Sequence, residues 1–71
     1  MPISENKVSK KLGQNIQKLR KEAGNTQEEF AEVLRLSRIH MGHIEQGRKN
    51  PSIEVLVKIA KKLKVEVSDL F

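Results

Sequence analysis

Between Thr26 and Pro51 the chain reads TQEEFAEVLRLSRIHMGHIEQGRKNP, and this stretch leaves little choice of fold. Thr26, followed three residues later by Glu29, fits a capping box, in which each side chain takes the other residue's backbone amide. Glu28, Glu29 and Glu32 suit the positive start of a helix. Phe30, Ala31 and Leu34 fall on one side of it, and Ala31 is small enough for another helix to come close. Arg35-Leu36-Ser37 reads as a turn, with Leu36 plugging the core and Ser37 capping a second helix. That helix runs from Ser37 to about Gln46, and Gly47 stops it. At about 100° per residue, Met41 and Ile44 point one way, whereas Arg38, Ile39, Gly42, His43 and Gln46 point the other. Such a helix holds one face in a core and presents the opposite face to something outside the fold. A short basic loop, Arg48-Lys49-Asn50, leads to Pro51, which forbids a preceding helix from running on.

The flanking segments supply the rest of a helical core. Val8, Leu12, Ile16 and Leu19 recur at helical spacing, with Lys7, Lys10, Lys11, Lys18 and Lys21 on the wet side and Gly24 as the stop. Residues 1–7 are expected to be a flexible lead, and residues 8–71 one domain. Ser52 caps a fourth helix whose buried stripe is Ile53, Leu56, Ile59, Ala60 and Leu63, with Lys58, Lys61, Lys62 and Lys64 outside it. After it, Val65-Glu66-Val67 alternates like a strand but has no strand to pair with. Ser68 to Phe71 reads as the start of one more turn.

Seventy-one residues bury only about 60% of their unfolded surface, so stability rests on one well-packed core. No cysteine is present to supply a disulfide or a thiolate zinc site. No apolar run approaches the ~20 residues of a membrane span, and the first residues carry no apolar signal region, so a cytoplasmic protein is expected. The formal charge of +5 favours polyanionic partners. Its distribution does not place the site: residues 25–50 carry four Lys/Arg against four acids. His40 and His43 lie i, i+3 on one helix without a third ligand, so neither a metal nor any cofactor is expected. No nucleophile–base pair or phosphate-cradling loop appears, which argues against an enzyme.

TQEEFAEVL, the turn ending in Ser37, and I-E-x-G-x-x-x-P at 44–51 occur in order and at specific spacing. With them the chain resembles the Cro/phage-repressor-type helix-turn-helix family, also called the XRE family, over about sixty residues from near Leu12. The resemblance implies an all-α, lambda-repressor-like domain of four to five helices that binds double-stranded operator DNA as a transcriptional regulator, for example a repressor. It makes helix 37–46 the recognition helix, set in the major groove of a near-palindromic operator. Arg38, Ile39, Gly42 and His43 then meet base edges. A guanidinium can bond guanine O6 and N7 together, Ile39 can touch a thymine methyl, and Gly42 lets the helix sit close. Gln27, Ser37, His40, Gln46, Arg48, Lys49 and Asn50 match positions at the phosphate backbone. Arg20 and Glu45 match a pair that ties the first helix to the third, a structural role.

Two positions depart from the family. Glycine is common at position 35, where the backbone is left-handed; with Arg35 there, either the turn is altered or the residue bears strain of order 1 kcal/mol. Position 25 is usually apolar, and Asn25 makes that edge of the core wetter. Proteins of this class usually bind as dimers. Val65, Val67, Leu70 and Phe71 are the expected homodimer surface, unless they fold back on helices one and four. A restriction-modification controller fits the length. The alternative is a protein-interaction module, such as an antitoxin that binds a protein partner as well as its own promoter.

Overall fold

Among the described residues there are four α-helices and one 3₁₀ turn: α1 Glu5–Glu22, α2 Gln27–Leu34, α3 Arg38–Glu45, α4 Ile53–Leu63, then Val67–Leu70 as the 3₁₀ turn. The computed structural model describes residues 5–71, and side chains from Lys7 onward. Helix α1 begins at Glu5, inside the expected lead; residues 1–4 of that lead lie outside the described residues. The fold is all-α, as expected. No described helix is long and apolar enough to cross a membrane.

Helices α2, α3 and α4 each start where a side chain can take a free amide. The Thr26–Glu29 box forms in both directions: Thr26 Oγ1 accepts from Glu29 N–H at 3.1 Å, and Glu29 Oε1 accepts from Thr26 N–H at 3.0 Å. These bonds from Thr26 hold the Glu29 carboxyl below the usual carboxylate range. Their contribution is therefore present at neutral pH and is lost as the pH falls through the lowered pKa. Ser37 and Ser52 accept from His40 N–H and Val55 N–H.

All four helices end in the same Schellman geometry, with one residue in the left-handed region. Gly24 (φ 81°) and Gly47 (φ 76°) do this without cost. Arg35 (φ 58°) and Lys64 (φ 59°) do it with a Cβ in place. The turn is thus unaltered, and Arg35 carries the strain. Leu36 N–H donates to Ala31 O at 2.9 Å and Arg35 N–H to Glu32 O at 3.1 Å, so α2 is closed in the normal way. Strain at Lys64 was not anticipated from the sequence.

The core joins Leu12 and Ile16 of α1 to Phe30, Ala31 and Leu34 of α2, Met41 and Ile44 of α3, and Ile59 and Ala60 of α4, and is closed by Leu70. Leu19, Leu36, Leu56 and Leu63 pack around it. Two residues expected inside are not. Val8 is exposed because the buried side of α1 is rotated from the apolar stripe toward Gly13 and Arg20, which meet α3, and Ser9, which meets Asn50 in the following loop. Ile53 is 79% exposed: it directly follows the cap Ser52 and stands at the edge of the α4 stripe.

The C-terminal segment folds back. Val65-Glu66-Val67 forms no strand; instead Glu66 N–H donates to the Asp69 carboxylate at 2.9 Å and opens the 3₁₀ turn. Leu70 is 0% exposed, and Asn15 Nδ2 holds its carbonyl at 3.0 Å. Leu70 is therefore a core residue of its own chain, which corrects its placement on a dimer surface. Val65 and Val67 are half-buried against the same core, and Phe71 stays exposed.

Helix α1 crosses α3 so closely that no side chain fits at Gly13. A Cβ there would stand 2.5 Å from Ile44 O and 2.6 Å from Glu45 O. Alanine normally favours a helix over glycine by about 0.5–1 kcal/mol. Gly13→Ala should instead destabilise this protein by about 1–3 kcal/mol, because rigid backbone must move. Urea unfolding of the two proteins measures the sign.

Candidate nucleic-acid interface

The three-residue turn between α2 and α3 fixes which face of α3 is left outside. Met41 and Ile44 are fully in the core, while Ile39 is 75% exposed. Ile39 thus stands on the side of α3 turned away from the core. Around it a shallow depression is lined by Gln27, Arg38, Ile39, Gly42, His43, Gln46 and Arg48. All four expected base-contacting residues are in this set, together with three expected phosphate ligands. At Gly42 a Cβ would meet only the Gln27 side-chain amide, Oε1 at 3.8 Å and Nε2 at 4.0 Å, so the glycine relieves no clash within the fold and leaves an open notch in the depression.

The remaining expected phosphate ligands lie outside the depression and have definite partners. The Ser37 oxygen is occupied by its cap bond from His40 N–H, with its own proton left to donate. His40 is half-buried. Arg48 N–H and Lys49 N–H both donate to His43 O, at 2.8 and 3.3 Å, so the basic loop is folded onto the end of α3. Both side chains are exposed there. Asn50 Oδ1 accepts from the buried Ser9 hydroxyl, which turns the Asn50 amide N–H groups away from α1. Gly47 lies so tightly on α1 that a Cβ would be 2.7 Å from Lys10 Cα.

A buried ion pair fastens α3 from behind. Arg20 Nε donates to Glu45 Oε2 at 2.6 Å and Arg20 Nη2 to Glu45 Oε1 at 3.0 Å, a two-pronged match of guanidinium to carboxylate. Arg20 Nη1 donates to Asn25 O at 2.8 Å, so the polar residue at position 25 gives its backbone to the same network. Gln27 Nε2 donates to Glu45 Oε1 at 3.2 Å. The pair therefore joins α1, α2 and α3, and Gln27 carries its order directly into the exposed depression. No buried side-chain polar atom among the described residues lacks a partner.

The expected Arg20–Glu45 tie is present and more buried than an ordinary surface pair. Three contributors were missed: Ser9, Gly13 and the second bond of Gln27. The first two share a signal, since Ser9, Gly13, Ile16 and Arg20 recur at i, i+4, i+7 and i+11 and all are buried. That stripe is polar and small at three of its four positions, so a search for apolar periodicity passes over it.

A helix pair on a tight turn, with a half-exposed second helix beside a basic loop, defines the helix-turn-helix class of nucleic-acid-binding domains. The helix-turn-helix family HTH_3 matches residues 16–70, and the chain belongs to it. It is 42% identical over 57 residues to the immunity repressor protein of Bacillus phage phi105, covering 80% of this chain but only 40% of that repressor. It is 37% identical over 67 residues to the control protein C.MunI of Mycoplasma sp, covering 93% and 90% of the two chains. Among solved structures it is similar to the restriction-modification controller protein C.AhdI from Aeromonas hydrophila (TM-score 0.85, 34% identity, 92% of this chain and 98% of that one). It is also similar to SinR, a master regulator for biofilm formation solved in complex with DNA (TM-score 0.77, 37% identity, 83% and 95%).

Removing one member of the Arg20–Glu45 pair leaves the other charge buried without its partner. Glu45→Ala should cost about 3–5 kcal/mol, well above the roughly 0–1 kcal/mol of an exposed pair. A double-mutant cycle with Arg20→Ala, read by thermal unfolding, should show strong coupling; additive effects would reduce both to ordinary surface charges.

Proposed function

We propose that this chain regulates transcription by setting α3 in the major groove of a near-palindromic operator, as a homodimer. The observation that carries this reading is the depression on α3. Arg38, Ile39, Gly42 and His43 line it beside Gln27, Gln46 and Arg48, so potential base readers sit next to groups suited to phosphate. Arg38 is assigned to guanine O6 and N7, Ile39 to a thymine methyl and His43 to a base edge one turn on. Gln27, Ser37, His40, Gln46, Arg48, Lys49 and Asn50 hold the sugar–phosphate backbone on either side. The similarity to a repressor and to controller proteins favours a regulator over an antitoxin.

One such module covers about 600–1,000 Å² of DNA, which seldom gives useful specificity alone. Two copies would place their recognition helices about 34 Å apart, one turn of the duplex. With Leu70 withdrawn into the core, the dimer surface reduces to the exposed Phe71 and its surroundings. Phe71 lies beside Val8, itself exposed, with the rims of Val65 and Val67 nearby in sequence.

Selection of bound duplexes from random DNA supplies the operator and the test. Arg38→Ala should weaken binding to that site by about 1–3 kcal/mol and relax the preference at one base position. Lys49→Ala should weaken all sequences alike and lower the slope of log affinity against log salt by about one. An Arg38→Ala protein with unchanged sequence preference would show that α3 is not the reading element. Sedimentation at micromolar concentration tests assembly; a strict monomer that binds a palindromic duplex one to one would remove the homodimer.

A further inference from the structure

A second depression shares no residue with the α3 site. Val33 is its exposed apolar surface, over the buried Leu34, and Arg35, Lys58, Lys61 and Lys62 complete the lining. Val33 is 54% exposed, a β-branched apolar side chain in water on the outer side of α2. None of the four cations has a carboxylate within salt-bridge distance among the described side chains; the one ion pair there is Arg20–Glu45. Glu29 is the carboxylate whose charge reaches Lys62, and its oxygen is already committed to Thr26 N–H. Among the described side chains, no carboxylate closes an ion pair with the cations of the groove.

Arg35 adds an independent observation. It occupies a left-handed position that glycine would fill without strain. Here the strained residue points its charge to the groove that also holds three lysines. Its rigid guanidinium suits a planar carboxylate held by two parallel bonds.

From these features we propose that the groove docks an acidic, amphipathic segment of a partner protein, carboxylates against Arg35, Lys58, Lys61 and Lys62, and an apolar side chain against Val33. The apolar floor decides between classes of anion. A phosphate backbone gains from the cations but gives nothing to the exposed Val33, whereas an acidic segment with interspersed leucines uses both. The groove and the depression on α3 have no lining residue in common, so a protein segment here and DNA there would use different side chains.

The test uses the full chain and a short fluorescein-labelled peptide alternating Leu with Glu and Asp, followed by fluorescence anisotropy at physiological salt. A control peptide keeps every charge and replaces each Leu by Ser. Arg35→Gly should raise Tm, because it removes the strained Cβ, and yet weaken the peptide by up to about fivefold. Lys61→Glu combined with Lys62→Glu should weaken it by more, and the Ser peptide should bind less tightly than the Leu peptide. Affinity for the selected operator should stay unchanged in Arg35→Gly. Several results would overturn the proposal. Equal binding of the Leu and Ser peptides would reduce the groove to nonspecific charge. Unchanged peptide affinity in both variants would place the contact elsewhere. Loss of operator affinity in Arg35→Gly, in step with the peptide, would make the groove part of the DNA surface. Loss of self-association in the Lys variants would make it a contact between two copies of this chain.

Discussion

The Arg20 guanidinium and the Glu45 carboxylate are taken almost wholly out of water, with side-chain exposures of 7% and 1%. Desolvating two charges costs more than a single Coulombic contact returns unless the remaining polar atoms are also satisfied. They are: Glu45 accepts from two nitrogens of Arg20 and from Gln27, and Arg20 reaches Asn25 O as well. The network is tolerable only as a complete set, which makes it a specifier of geometry. It admits one rotation of α3 about its axis, the one that brings Glu45 inward to Arg20.

That rotation decides what the outer face of α3 can do. With Glu45, Met41 and Ile44 inside, Arg38, Ile39, Gly42 and His43 have no choice but to face out. Gly13 and Gly47 contribute by absence: α1 lies against the backbone of α3 and of the following loop, with no side chain between them. Ser9 adds a polar clamp on Asn50. A long helix thus serves as a rail along which α3 and the basic loop are set, and such rigidity would lower the ordering cost of the binding proposed for α3.

How far this was legible in the sequence follows from which signals are local. Caps and stops are local, so Thr26, Ser37, Ser52, Gly24 and Gly47 could be read directly, and the outward face of α3 followed from the 3.6-residue period. The tie between Arg20 and Glu45 was legible only through a family resemblance, since nothing in the spacing of two residues 25 apart brings them together. The burial of Ser9 and Gly13 escaped because polar and small residues do not register as a core face. Val8 and Ile53 show the converse, apolar residues at stripe edges that the core does not reach. At the C-terminus, four apolar residues in seven gave no means of deciding between the chain's own core and a second copy. Leu70 fills a space closed by α1 and α4, which only the assembled helices define.

The face of α3 fixed by the Arg20–Glu45 network is the one proposed to meet DNA. Backbone amide chemical shifts of the labelled protein, followed as a selected duplex is added, test it residue by residue. The largest changes should fall on Gln27, on residues 37–43 and on residues 46–50, with α4 and the basic side of α1 little affected. Changes centred on α1 or α4, with α3 unperturbed, would contradict it.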